Sequence, residues 1–70
     1  MVTVVFTDGK ERQYDADGAG PKGPLFILWK YNPKKRKSEI CQQFPLDTVV
    51  RAHTGNSIIV GGGRMEGVDP

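Results

Sequence analysis

Between Pro24 and Pro33 lies Leu25-Phe26-Ile27-Leu28-Trp29-Lys30-Tyr31-Asn32, a run apolar on both alternating faces and closed at each end by a residue without an amide hydrogen. So short a run, with aromatic and β-branched content, reads as a strand rather than a helix. Leu25, Ile27, Trp29 and Tyr31 share one face, and Phe26, Leu28 and Lys30 the other. A strand apolar on both sides is central in a sheet, or curls so that each face meets a different layer. The core is therefore expected over this strand with Trp29 inside it, and Trp29→Ala should then cost about 3–5 kcal/mol.

A basic loop follows, and Ser38–Phe44 returns as a partner strand with Ile40 and Phe44 on one face and Glu39, Cys41 and Gln43 on the other. Upstream, Val2, Val4 and Phe6 alternate with Thr3, Val5 and Thr7, and Asp8-Gly9 signals a hairpin. A two-residue loop would set Phe6 against Glu11 and Val4 against Gln13, while the favoured three-residue loop over Thr7, Asp8 and Gly9 sets Val4 against Arg12 and Val2 against Tyr14. It places the Tyr14 ring on the valine face and leaves Lys10 and Arg12 to snorkel at its margin. Residues 15–24 hold three glycines and two prolines without apolar period, and read as a loop to another sheet edge. Pro45 ends a ladder, 48–53 and 58–60 give two more strands, and 61–70 reads as a frayed tail.

Six short strands without helical period predict an all-β fold, a small antiparallel barrel or roll of five to six strands. The 70 residues make one domain, assigned to residues 1–60 with a flexible tail over 61–70. A core this small is closed in one compact unit or completed by self-association. A single cysteine excludes an internal disulfide framework and suits a reducing compartment. With no membrane-length apolar run and no h-region in Val2–Phe6, the expected location is cytoplasmic.

Charge is unevenly placed. Lys30, Lys34, Lys35, Arg36 and Lys37 put five of the ten basic residues into positions 30–37, with no acidic residue among them. The remaining five face eight acidic residues, so a basic loop projects from an acidic body. These five cations could neutralise phosphates or meet an acidic partner, with a base stacking on Tyr31 or Phe26 if either ring is exposed. The plain alternative is a solvated loop.

Chemistry is sparse. Cys41, His53 and Asp47 lack a glycine-rich elbow or helix N-terminus to activate a thiolate, so no catalytic residue is assigned. One histidine and one cysteine cannot complete a structural zinc site, and Asp15-Ala16-Asp17-Gly18 lacks the closing glutamate of a calcium loop. No metal or other cofactor is expected. Gly61-Gly62-Gly63-Arg64 lacks the Gly-Lys-Ser/Thr ending of a phosphate loop. The favoured reading is a protein–protein interaction module, self-association included, with Val5, Tyr31, Val49 and Ile59 as interface candidates. Weak nucleic-acid binding through the 30–37 hairpin is the second.

Val4-Val5-Phe6-Thr7-Asp8-Gly9, Tyr14-Asp15-Ala16-Asp17-Gly18-Ala19 and Phe44-Pro45-Leu46-Asp47-Thr48-Val49-Val50 together resemble small uncharacterised proteins of actinobacteria and their phages. The resemblance spans about two-thirds of the chain, through turn and strand residues only. It implies a stand-alone cytoplasmic β-protein and, for a phage source, an accessory protein that engages a host factor. No functional residue carries over from it.

Overall fold

A computed structural model describes residues 1–64, and the remainder of the expected tail, 65–70, lies outside the described residues. Among the described residues seven strands form: β1 (Val2–Phe6), β2 (Glu11–Tyr14), β3 (Gly18–Lys22), β4 (Leu25–Asn32), β5 (Lys37–Pro45), β6 (Val49–His53) and β7 (Ile58–Val60). One 3-10 turn, Leu46–Thr48, sits at the corner after Pro45, and among the described residues no helix is long and apolar enough to cross a membrane. The strands make two antiparallel sheets, β2-β1-β6-β7 and β3-β4-β5. The all-β expectation holds, as an open roll rather than a closed barrel.

The first hairpin takes the three-residue loop, with Val2 opposite Tyr14 and Val4 opposite Arg12. Gly9 has φ of 86°, which a side chain would resist, and its amide donates to Phe6 O at 2.9 Å. Val2 and Val4 of this sheet meet Phe26 and Leu28 of β4, all four fully buried, with Ala16, Ala19, Val49 and Ala52 completing the core. Enclosing each large side chain contributes about 1.5–3 kcal/mol.

Three expectations are corrected. The segment expected as a loop contains β3, which pairs with β4 from Gly18–Trp29 to Lys22–Leu25. The strand was hidden because Gly18 and Gly20 lack side chains. Their place is taken by the Trp29 ring, which lies so close that a Cβ on Gly18 would stand 2.5 Å from Cε2 and Nε1. Trp29 consequently does not enter the core. It is only half-buried and lies on the opposite face of β4 from Phe26 and Leu28. Alternation also breaks within β5, where Leu28 opposes Gln42 while Trp29 opposes Ile40, leaving Cys41 as the extra residue of a bulge.

The start of the expected tail is docked. Gly61 donates to Val50 O at 2.9 Å, Gly62 to Leu46 O at 3.0 Å and Gly63 to Val49 O at 2.9 Å. A Cβ on Gly61 would fall 2.1 Å from Val49 O, so the glycines permit backbone to lie against backbone. This accounts for the glycine run without a phosphate.

Candidate binding groove and basic finger

The two sheets approach along one side, where β3 comes near β7. On the other side β2 and β5 are both outer strands, and a groove of about 460 Å³ opens between them. Phe6, Tyr14 and Phe44 line it together with Thr7, Asp8, Lys10, Arg12 and Thr48. Phe44 packs edge-on against Phe6 with centroids 5.2 Å apart, and Tyr14 tilts against Phe44 at 5.5 Å. The three rings are continuous with the core but only partly covered.

Local sequence explains the arrangement. Register sends Val2 and Val4 into the core and brings Arg12 and Tyr14 to the same face of β2. Arg12 on the edge strand β2, and Lys10 just before it, therefore line the groove, a placement that also discourages indiscriminate strand pairing. Neither forms an ion pair among the described residues. Asp8 is engaged locally, its carboxylate accepting the Lys10 amide at 2.9 Å.

The β4–β5 hairpin runs on past the end of β3, pairing from Trp29–Ile40 to Asn32–Lys37, in a molecule measuring 45 by 23 by 16 Å. β3 stops pairing at Gly18–Trp29, and beyond it Asp17 takes over, its carboxylate accepting the Tyr31 amide at 2.6 Å. Lys30 and Asp15 form an exposed ion pair and hydrogen bond. The hydrogen bond from Lys30 holds the Asp15 carboxyl below its usual range and, reciprocally, raises Lys30. At the tip, Asn32 Oδ1 accepts the Lys34 amide at 3.0 Å and Asn32 Nδ2 donates to Glu39 at 2.7 Å. Arg36 is held at φ of 55°.

Of the five loop cations, Lys30 is paired with Asp15 and Lys35 approaches Glu39 at 3.6 Å. Lys34, Arg36 and Lys37 have no carboxylate partner among the described residues. Tyr31 is 49% exposed on the finger, whereas Phe26 is fully buried and offers no stacking surface.

The remaining interface candidates are corrected. Val5 and Val49 are enclosed at 1% and 0% exposure, and Ile59 packs against the core. Val5 lies on the outer face between Glu11 and Arg51, and Val49 is turned in beside a bulge at Val50. Ile59 faces inward opposite Ala52, so its neighbours Ile58 and Val60 carry the exposure instead. Sequence reasoning missed the groove. Its trace was the pair Lys10 and Arg12 on the valine face, read only as a margin.

Cys41 and His53 fall on different sheets, and His53 Nε2 accepts from Arg51 Nε at 3.0 Å. No group of three or more metal-ligating side chains gathers among the described residues. Compared with known proteins, the chain matches no family model, no curated protein and no solved structure.

Proposed function

We propose that this protein is a non-catalytic binding module that receives an extended polypeptide segment along the open side of its roll. The observation that carries this reading is the aromatic groove between two outer strands, β2 and β5. An outer strand offers unpaired backbone donors and acceptors, and a peptide that adds to it satisfies them while alternate side chains enter the groove. Phe6, Tyr14 and Phe44 give those side chains apolar surface.

Twelve-residue peptides selected from a random library against the folded protein test this. Amide chemical shifts should move in β2, β5 and the Thr7–Gly9 turn. Shifts confined to Ile58–Val60 or to the finger would overturn the groove assignment. A second copy of the chain is the competing occupant, and sedimentation showing a concentrated monomer disposes of it.

A second reading has its own observation. Lys34, Arg36 and Lys37 stand at a projecting tip without counter-charges among the described residues, and Tyr31 is exposed on the same ribbon. That is the chemistry of weak, salt-dependent contact with phosphates. Short duplex and single-stranded oligonucleotides titrated at several salt concentrations address it. Binding that survives replacement of Lys34, Lys35, Arg36 and Lys37 by glutamate removes the finger as the phosphate reader.

A further inference from the structure

We infer that the groove selects acidic extended segments, with two carboxylates at alternate positions and an aromatic side chain next beyond them on one face of the bound strand. The inference rests on the peptide-binding reading and adds the chemistry of the partner. Lys10 and Arg12 border the groove on the β2 side, two residues apart, and neither has an ion-pair partner among the described residues. Successive same-face side chains of a strand stand about 7 Å apart, so two carboxylates at alternate positions match the spacing of the two cations, and an aromatic side chain two positions further on the same face is left for the rings. Across the groove, β5 supplies the neutral Phe44. Asp8 is the one acidic residue of the lining, and its carboxylate is already committed to the Lys10 amide.

The finger is a separate surface. Its tip cations lie at the Lys37 end of β5, whereas Phe44 lies at the Pro45 end, some seven residues or about 23 Å away along an extended chain. One ligand of strand length therefore meets Lys10 and Arg12 or the tip, and the two sets of cations are tested independently.

The probes are Ser-Glu-Thr-Glu-Thr-Phe-Ser, whose two Glu and Phe share one face, and the same peptide with both glutamates replaced by lysine. A third form has serine in place of the phenylalanine, and a twelve-nucleotide oligothymidylate completes the set. Affinities are read by fluorescence anisotropy and contact sites by amide shifts. The glutamate peptide should bind in the groove, with at least about tenfold loss on exchange of its glutamates for lysine, since like charges then face each other. The serine form should also weaken. Both cations are on the surface lining, so the Lys10→Glu, Arg12→Glu double variant, verified as folded by circular dichroism, should reverse the preference and favour the lysine peptide.

Equal binding of the glutamate and lysine peptides in the groove would overturn the acidic selectivity while leaving a peptide site in place. No groove shifts with any peptide, together with none from library-selected ones, would sink both. Oligothymidylate bound at Lys10 and Arg12 in preference to the glutamate peptide would reassign the groove to nucleic acid and overturn the inference.

Discussion

Trp29 acts as the missing side chains of two glycines. Its ring lies over Gly18 and Gly20, and a Cβ at Gly18 would overlap it. Gly18→Ala should cost about 1–3 kcal/mol in urea denaturation, because the ring must leave its position or the strands separate. Gly55→Ala is the control, with nothing within 4 Å of its Cβ, and should change stability by no more than about 0.5 kcal/mol. Trp29→Ala removes a half-buried ring, so its expected cost is about 2 kcal/mol, below the range of an enclosed one. At the finger tip, Arg36 occupies backbone space that glycine enters freely. Arg36→Gly should raise the melting midpoint, gaining about 1 kcal/mol, while removing a cation from the tip.

Asp15 gives a pH test at the same scale. Its hydrogen bond from Lys30 lowers the folded-state pKa, so the bond's contribution is present above the ordinary aspartate value and is lost as pH falls through the lowered one. Both groups are exposed, which keeps the effect on stability small. Carbon-detected titration should place the Asp15 midpoint below that of free aspartate, and Lys30→Met should return it upward. An unchanged midpoint in the variant would deny the pairing.

Among the elements, the finger depends on a side chain for its anchorage. Where β3 ends, the Asp17 carboxylate accepts the Tyr31 amide and Asp17 N donates to Trp29 O at 2.8 Å. Asp17→Ala should therefore speed hydrogen exchange at Tyr31 while leaving Phe26 and Leu28 amides protected. Tyr31 exchange at the parent rate would show that the carboxylate does not hold it. Most of these elements were legible from the chain. Alternation gave β1, the Asp-Gly pair gave its turn, the need to set Tyr14 on the valine face gave the register, and the two prolines delimited β4. β3 escaped because glycine carries no pattern, and the partner that completes it is a tryptophan eleven positions away from Gly18.

Across the molecule, one small core ties the two sheets together through Val2, Val4, Phe26 and Leu28. Leu28→Ala should cost about 2–5 kcal/mol. Unfolding followed by Trp29 fluorescence and by far-ultraviolet circular dichroism should coincide, because neither sheet keeps a buried face once the other leaves. The groove belongs to this scale as well. Phe6, Tyr14 and Phe44 come from three strands and two sheets, and converge only because the roll closes at β3 and β7 and stays open at β2 and β5.

Alternation, prolines and the Asp-Gly turn are local, and they alone determined that the chain is all-β, where its first hairpin bends and where its cations concentrate. Bulges at Cys41 and Val50, the ring over the β3 glycines and the side on which the sheets part are consequences of distant residues meeting. A one-residue slip in pairing turns a strand's faces over, so Val49 and Ile59 went inward and Ile58 and Val60 outward only once the strands had found their partners.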